Sequence, residues 1–314
     1  MKTGIAILGS IHMDYVIVLE KMPRIGETII GKEFKMTPGG KGANQAVAAA
    51  RLGAEVYMIG RLGEDLIGDE LIRNLRKNGV NVEYVKRAKT HSGVALIFVD
   101  SQGNNMIAVA PGADYKLSRS DVDEALEGLR NLVDFLLLQL EIPVEVVEYA
   151  IRRFSEEGVK VVLNPAPYQR LSRDSLARVF LATPNEIELE LMSGIRVRSV
   201  EDAARAGEKL VREIGIRNLV ITMGAKGAMM VDEGGSRLIP AFEVEPVDTT
   251  GAGDAFNGAL VVALARGRSL AEAVRYANAA AALSTLKVGA QEALPTSEEV
   301  ERFLHRYRKF DNDK

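Results

Sequence analysis

One short stretch combines a carboxylate with residues that have almost no side chain: "DTTGAGDAF", residues 248–256, just before an apolar segment that predicts a helix. A helix N-terminus presents unpaired N–H groups and positive dipole potential, which suit a phosphate. Gly251, Ala252 and Gly253 would leave that end open. Asp254 would repel a resting phosphate, but it could accept the proton of a hydroxyl that attacks a phosphoryl group. Taken alone, the stretch also fits an ordinary helix start in which the dipole favours an acid.

A second glycine-rich stretch, "TPGGKGANQAVAAARLG", opens an alanine-rich segment that predicts another helix. Its glycines, Gly39, Gly40 and Gly42, allow a tight turn and the close approach of a ligand. Lys41 and Asn44 add a cation and an amide, which suit a polar, hydroxylated molecule. The stretch is not a Walker loop, because Gly42 follows Lys41 where a serine or threonine is required. A purely structural turn fits these residues equally well.

Polar residues also follow two predicted strands later in the chain. In "TPNEIELE", Asn185 and Glu188 come at the carboxyl end of a strand, the expected ligand edge of an open α/β sheet. An acid there could hold Mg²⁺ through water, although the same residues fit a helix cap. In "ITMGAKGAMMV", Thr222, Gly224 and Gly227 predict a strand–turn–strand that leaves room for phosphates or a flat ligand. Alone, this stretch fits a simple turn better.

The composition excludes several classes of function. Of 314 residues, 47% are hydrophobic and 26% charged, and the net charge is -3, so the basic surface typical of nucleic-acid binding is missing. There is no cysteine, which excludes disulfides and thiolate chemistry. "GSIHMD" has one glycine where a dinucleotide-binding fingerprint needs three. The sequence shows neither a signal peptide nor a membrane span, so we expect a cytoplasmic protein that binds no membrane.

Strand-length apolar runs alternate with longer amphipathic segments. This alternation predicts an α/β fold with a mainly parallel sheet and helices on both faces. Predicted strands cover 4–10, 55–63, 135–141, 159–167, 179–186 and 218–227, and predicted helices include 43–53, 67–79, 144–156 and 200–214.

Residues 15–40 and 92–113 break the alternation, because each contains a pair of strands without helices. We predict that they form a small β-sheet that covers a site or pairs with another subunit; surface hairpins without a function are the alternative. The predicted division is an α/β core of 1–10, 37–92 and 112–314 and a discontinuous lid of 11–36 and 93–111.

Taken together, these stretches resemble the ribokinase family, the PfkB carbohydrate kinases. "GSIHMD", "GGKGANQAVAAARLG", "LGEDLIGD", "TPNEIELE", "TMGAKG" and "VDTTGAGDAFNGAL" follow in that family's order and at about its spacing. The resemblance implies a three-layer α/β sandwich with a mainly parallel sheet and a small β-sheet lid. It also implies a homodimer closed through the lid, ATP as phosphoryl donor, Mg²⁺ or another divalent cation, and K⁺ as an activator.

The resemblance also implies roles for individual residues. Asp254 becomes the general base and a sugar contact, and Gly251, Ala252 and Gly253 become the anion hole. The other implied sugar contacts are His12, Asp14, Gly39, Gly40, Lys41, Asn44 and Glu141. The implied nucleotide contacts are Asn185, Thr222, Gly224, Gly227 and Asn278, with Glu188 on Mg²⁺ through water. Asp248, Thr250, Ser284 and Gly289 become the K⁺ loop.

Two positions depart from the family pattern. His12 stands where ribokinases usually have asparagine close to the sugar. Histidine is larger and can carry a charge, so it could favour another acceptor, although it could also replace the asparagine hydrogen bond. Ala293 stands where serine is common near the K⁺ site, so the dependence on K⁺ could be weaker.

The leading hypothesis is an ATP-dependent kinase that phosphorylates the primary hydroxyl of a pentose, D-ribose to D-ribose 5-phosphate. The same-fold alternative is a kinase for a nucleoside, ribose 1-phosphate or another sugar. The alternative in which the protein is not an enzyme is a sugar-binding regulator. A base held in line with the phosphoryl group is needed because a sugar hydroxyl has a very high pKa. A lid that excludes water would suppress ATP hydrolysis.

Overall fold

The computed structural model describes the backbone of residues 4–312 and the side chains of residues 4–307. Its strands are β1 (Gly4–Leu8), β2 (His12–Val18), β3 (Glu33–Gly39), β4 (Glu55–Gly63), β5 (Asn81–Ala88), β6 (Gly93–Val99), β7 (Asn105–Ala110), β8 (Val133–Leu138), β9 (Lys160–Leu163), β10 (Leu181–Ala182), β11 (Leu219–Thr222), β12 (Ala228–Asp232) and β13 (Gly235–Ile239). Its α-helices are α1 (Lys41–Arg51), α2 (Leu66–Lys77), α3 (Arg119–Leu129), α4 (Val144–Glu156), α5 (Arg173–Ala177), α6 (Glu186–Ser193), α7 (Val200–Ile214), α8 (Ala252–Ala265), α9 (Leu270–Ser284) and α10 (Ser297–Asn312).

Nine strands form the central sheet, in the order β13-β12-β11-β10-β9-β8-β1-β4-β5. From β11 to β5 every neighbouring pair is parallel, and only β12 runs in the opposite direction, antiparallel to both β11 and β13. β1 lies between β4 and β8, where Ile5 pairs with Val56 on one side and Phe135 on the other. The predicted mainly parallel sheet is therefore confirmed.

Helices cover both faces of this sheet, as the alternation of residues along β1 shows. Ile5 and Ile7 belong to one buried cluster, which includes residues of α1, α8 and α9. Ala6 and Leu8 belong to the opposite cluster, which includes residues of α3, α4 and α7. Successive strand residues point to opposite faces, so the two clusters are the two sides of a three-layer sandwich. None of the helices within residues 4–312 combines the length and the apolar character needed to cross a membrane.

Four strands form the separate small sheet, in the order β3-β2-β6-β7. Tyr15, Met36 and Leu96 pair side by side across it, and Tyr15 stacks on Phe34 with ring centroids 6.0 Å apart. Phe34 is 57% exposed and Met36 51% exposed, so this face of the sheet is apolar and open to solvent. The predicted second sheet is confirmed, and β6 and β7 are its predicted strand pair within 92–113.

Several predicted strands end earlier in the structure. The prediction for 159–167 was wrong beyond Leu163, where β9 ends, and Pro165 and Pro167 have no N–H to donate to a neighbouring strand. The prediction for 179–186 was wrong beyond Ala182, because Pro184 interrupts the pairing and α6 begins at Glu186. The strand predicted for 218–227 likewise ends at Thr222, before a single 3₁₀ turn. Each early end brings polar residues to the carboxyl edge of the sheet.

Candidate active site

Close packing of two helices brings the two glycine-rich stretches together. A Cβ added to Gly258 of α8 would lie 2.6 Å from the Ala48 Cβ of α1, so only small residues permit this contact. At the start of α8, Gly251 has φ 77°, a left-handed conformation that glycine adopts without strain. A Cβ on Gly253 would meet nothing within 4 Å, which shows open space beside the first turn of α8. The helix end thus offers room for an anion.

Asp254 lies in that first turn and is only 7% exposed. Asn44 Nδ2 donates a hydrogen bond to its Oδ2 at 2.9 Å, and Gln45 Nε2 donates to its Oδ1 at 2.9 Å. Burial raises the pKa of Asp254, while the Lys41 ammonium and the two amides oppose the rise. Asp254 is therefore a carboxylate fixed by two hydrogen bonds, with a pKa above its usual value, which suits a general base.

The start of α1 forms the second wall of the site. Gly40 has φ 91°, and a Cβ there would lie 2.8 Å from the Ser10 carbonyl oxygen. The Lys41 backbone N–H donates to Glu141 Oε2 at 3.0 Å, and the Ser10 hydroxyl donates to the same oxygen at 2.5 Å. These contacts join the ends of β1 and β8 to the start of α1.

The Lys41 side chain is surrounded by carboxylates. Burial lowers the pKa of Lys41, but the fields of Asp254, Glu141 and Glu188 outweigh burial and raise it. The ammonium is therefore charged at neutral pH. A fixed cation among buried acids can neutralise a phosphoryl group that arrives between them.

His12 lies on the small sheet between two acids. Its Nε2 is 3.4 Å from Asp14 Oδ1, and its Nδ1 is 3.7 Å from Asp114 Oδ2. Within the described residues, His12 Nδ1 and Asp14 Oδ1 are buried without a hydrogen-bond partner. Burial lowers the pKa of His12, but the two acids outweigh it and raise the pKa from 6.5 to about 10. Gly39 lies opposite His12 on β3, and a Cβ there would lie 2.3 Å from Asp14 Oδ2.

The predicted nucleotide residues lie at the other end of the carboxyl edge. Asn185 and Glu188 form a reciprocal capping box at the start of α6, so the helix-cap alternative describes their mutual contacts. Burial raises the pKa of Glu188, while Lys41 acts in the opposite direction. Asn185 and Thr222 form an isolated parallel β-bridge. The charge of Glu188 is therefore coupled to that of Lys41 at the start of α1.

The turn after β11 is lined mainly by backbone. Gly224 has φ 55°, and a Cβ on it would meet nothing within 4 Å. Gly227 has φ 106°, and a Cβ on it would lie 2.2 Å from the Ile239 carbonyl oxygen. Asn278 Nδ2 donates to that same oxygen at 3.2 Å and to the Pro240 carbonyl at 3.1 Å. Thr222, Gly224, Gly227 and Asn278 thus belong to one region beside β11–β13.

The predicted K⁺ residues converge only in part. Asp248 Oδ1 accepts the Thr250 N–H and Oδ2 accepts the Gly289 N–H, both at 2.9 Å. Although burial acts to raise it, these N–H groups hold the pKa of Asp248 below its usual value. The Ser284 hydroxyl instead donates to Ala281 O within its own helix. In the part of the chain that is described, no three Asp, Glu or His side chains gather as a metal site would require.

Sequence reasoning missed several residues of the buried network around Asp254. Gln45, Gln139 and Gln291 are nearly or completely buried and hydrogen-bond one another or Asn44. Asp114, whose Oδ1 accepts the Ile11 N–H, is also buried. Gln45 adjoins Asn44 in the glycine-rich stretch, and this adjacency was the one available signal.

Comparison with known proteins identifies relatives that align over nearly the whole chain. The family model "pfkB family carbohydrate kinase" matches residues 2–297. Ribokinase of Haemophilus influenzae is 41% identical over 305 residues, covering 97% of this chain and 99% of that protein. Deoxyribokinase of Salmonella typhi is 39% identical over 302 residues, covering 96% and 98%. The structure of Arabidopsis thaliana ribokinase complexed with ribose and ATP superposes with a TM-score of 0.89 at 32% identity, covering 97% and 99%.

The chain belongs to the pfkB family of carbohydrate kinases, within its ribokinase group. Members of this group transfer a phosphoryl group to an alcohol and use ATP, so the chain is a sugar kinase of that type. This assignment sets aside the alternative of a sugar-binding regulator without catalysis.

Proposed function

We propose that the enzyme transfers the γ-phosphoryl group of ATP to the primary hydroxyl of D-ribose and forms D-ribose 5-phosphate. The observation that carries the proposal is the buried Asp254 carboxylate beside the open first turn of α8, with Lys41 facing it. Similarity to proteins named ribokinase, at 41% identity, supports ribose as the acceptor.

In the proposed reaction, Asp254 accepts the proton of the attacking hydroxyl. The backbone of Gly251, Ala252 and Gly253 stabilises the phosphoryl group in transfer, because helix N–H groups favour the developing negative charge. Lys41 balances the added charge. The sugar contacts we propose are His12, Asp14, Gly39, Gly40, Lys41, Asn44 and Glu141, which lie at the start of α1 and on its surroundings.

The nucleotide would lie along the turn after β11. Open space at Gly224 fits a ligand that packs on bare backbone. We propose Asn185, Thr222, Gly224, Gly227 and Asn278 as its contacts. Glu188 fits Mg²⁺ through water, because its two oxygens each accept one hydrogen bond and retain lone pairs. The metal would neutralise charge on the phosphates.

For K⁺ we propose the loop of Asp248, Thr250, Ser284 and Gly289. The backbone N–H contacts of Asp248 hold this loop next to the start of α8, since a Cβ on Gly251 would lie 3.1 Å from the Ala290 Cα. Ser284 would contribute its backbone, because its hydroxyl is already bonded within α9. A cation bound in this loop would activate the enzyme by fixing the position of the anion hole.

We propose a homodimer closed through the apolar face of the small sheet. Phe34, Met36, Leu96 and Met106 on that face are each about half exposed, which is costly in a monomer. Replacing Phe34 with Arg should yield monomers by light scattering. ATP and free pentose are metabolites of the cytoplasm, which is the compartment we propose.

The decisive experiment is a panel of acceptors with ATP and Mg²⁺, with and without K⁺. It includes D-ribose, 2-deoxyribose, hexoses, nucleosides and ribose 1-phosphate, and it also tests ADP as donor. The product position is identified by phosphorus NMR. The proposal requires that D-ribose has the highest kcat/KM and that phosphate is on the primary hydroxyl. A higher kcat/KM for any other acceptor overturns ribose as the substrate.

His12 favours the second candidate, a kinase for another acceptor such as 2-deoxyribose, a nucleoside or ribose 1-phosphate. Its Nδ1 and the neighbouring Asp14 Oδ1 are buried without hydrogen-bond partners within the described residues, so both retain hydrogen-bonding capacity next to the proposed sugar contacts. The raised pKa of His12 makes it a cation paired with Asp14 and Asp114, so the charge next to the acceptor differs from that beside a neutral asparagine. Similarity to a deoxyribokinase at 39% identity is compatible with this candidate.

A further inference from the structure

Gln45 of α1 is completely buried and contacts Asp254 from within the core. We infer that Gln45 is a positioning residue that holds the Asp254 carboxylate in the orientation in which it accepts the proton. The inference rests on the proposed function, in which Asp254 is the base. It assigns Gln45 no contact with the sugar or the nucleotide.

The contacts of Gln45 form a chain that ends on Asp254. Gln45 Nε2 donates to Asp254 Oδ1 at 2.9 Å and to Asn164 Oδ1 at 3.1 Å. Gln45 Oε1 accepts a hydrogen bond from Gln139 Nε2 at 2.6 Å. Gln139 follows β8, Asn164 follows β9 and both are buried, so the rigid edge of the central sheet supports the amide.

The direction of this chain follows from the charge of Asp254. An ionised carboxylate only accepts hydrogen bonds, so Gln45 must turn its NH₂ group toward it and its oxygen toward Gln139. Gln139 Oε1 is then left buried without a partner within the described residues. A Cβ on Gly9 would lie 2.1 Å from that oxygen, so the absence of a side chain at Gly9 makes room for it. Because an unpaired buried oxygen costs free energy, stability alone does not account for this arrangement.

Gln45 and Asn44 hold the two carboxylate oxygens in different ways. The Asn44 Oδ1 accepts a hydrogen bond from Gln291 Nε2 at 2.9 Å, and Asn44 is 7% exposed and is a proposed sugar contact. Gln45 is 0% exposed, so it reaches the substrate only through Asp254. Loss of the Gln45 amide should therefore lower kcat and leave the KM for the sugar nearly unchanged.

The charged groups that face Asp254 are Lys41, which lowers its pKa, and Glu141, which raises it. The Gln45 amide adds to the effect of Lys41, because it donates to the ionised form. A glutamate at position 45 would instead place a second carboxylate against Asp254. The pair would then lose its last proton at a higher pH than Asp254 alone.

The test uses the full-length enzyme and two variants, Gln45→Glu and Gln45→Met. We expect Gln45→Glu to move the acid limb of the kcat profile upward by about one pH unit or more, so that much of the lost activity returns at high pH. We expect Gln45→Met to lower kcat about tenfold, with the sugar KM changed by less than about twofold. Gln169→Glu is the control, because Gln169 donates to the Leu140 carbonyl and takes no part in the hydrogen bonds that link Gln139, Gln45 and Asp254.

An unchanged kcat and acid limb in both variants would overturn the inference. A parallel change of kcat and both KM values with a lower Tm would also overturn it, since that result would mean a general loosening of α1. If Gln45→Glu does not fold, the split between kcat and KM in Gln45→Met decides. Activity in Asp254→Asn would refute the proposed function itself, whereas an inactive Asp254→Asn beside normal Gln45 variants overturns only the role of Gln45.

Discussion

The proposed acceptor side, around Asp254, and the proposed donor side, around Gly224, are built in different ways. Around Asp254, buried side chains from α1 and the sheet edge hydrogen-bond one another in a continuous network. Around Gly224, the turn after β11 is exposed and presents mainly backbone, with a surface ion pair between Lys226 and Glu186 at 2.9 Å. Buried side chains fix atoms to within tenths of an ångström, which proton transfer requires, whereas a bare turn is sufficient to seat a nucleotide.

This comparison predicts that substitutions on the acceptor side act on kcat, and those on the donor side act on the KM for ATP. The largest effect should follow from Asp254→Asn. It removes the base but keeps the shape, so kcat should fall by about 10³-fold or more. The protein should still fold, because removing a buried charge offsets the one hydrogen bond that the asparagine NH₂ group cannot accept from Asn44 or Gln45.

The measurements are kcat and Tm, and the matched control is Asp202→Asn. Asp202 is also a first-turn acid, but of α7, where it accepts the Arg198 N–H. Asp202→Asn should lose some stability through its cap and retain kcat. Equal activity of Asp254→Asn and the native enzyme would show that the acceptor side does not supply the base.

A second, smaller effect should follow from Lys41→Met. Because Lys41 lowers the pKa of Asp254, its removal should raise that pKa further. The base would then be protonated over a wider range, so activity should fall about 10-fold to 100-fold at neutral pH and partly return at higher pH. A kcat profile against pH measures this shift.

Lys226→Met is the control for the loss of a cation, since Lys226 pairs with Glu186 on the donor side. We expect it to leave the acid limb where it is. If Lys226→Met and Lys41→Met shift the profile equally, the distinction between the two sides is wrong.

Sequence reasoning predicted residues of the proposed acceptor side where they are contiguous in the chain. Gly251 to Asp254 and Gly39 to Asn44 are short runs whose spacing carries the chemistry. It failed where partners are distant along the chain: Gln45 and Asp254 are separated by 209 residues, and Ser10 and Glu141 by 131. No local pattern contains such a contact, because it depends on how helices pack on the sheet.

The fold was predicted best where local signals and burial agree. The helices predicted at 144–156 and 200–214 are found with those bounds, since each has a clear amphipathic period and α7 ends at Gly215 in the left-handed conformation. The strands predicted at 159–167 and 179–186 were too long, because an apolar run does not show where a sheet partner ends. The presence of proline in both runs was the signal that should have shortened them.

A third prediction concerns stability on the acceptor side. The pKa of His12 is raised from 6.5 to about 10 in the folded protein, because Asp114 and Asp14 outweigh burial. Its charge therefore contributes stability that is fully present below pH 6.5 and is lost as pH rises through about 10. His12→Asn should flatten this dependence, by at least about 1 kcal/mol between the two limits.

Urea unfolding at several pH values measures the difference. His305→Gln is the control, because His305 is exposed on α10. A native protein whose stability does not fall relative to His12→Asn toward high pH would show that His12 is neutral in the fold. It would also remove the main reason for expecting an acceptor other than ribose.

The smallest effect should come from the donor side. Gly224→Ala adds one methyl group to a turn with φ 55° and empty space around it, so the protein should fold with a strain of about 1 kcal/mol. The methyl would intrude on the nucleotide, raising the KM for ATP a few-fold while the sugar KM and the acid limb stay unchanged.

Gly158→Ala is the control, because it causes a similar backbone strain at a distance from the site: Gly158 has φ 79°, has open space around it and follows the end of α4. If Gly224→Ala raises the KM for ATP no more than Gly158→Ala does, the nucleotide does not rest on this turn. A rise in the sugar KM instead would mean that the two sides are coupled through β11.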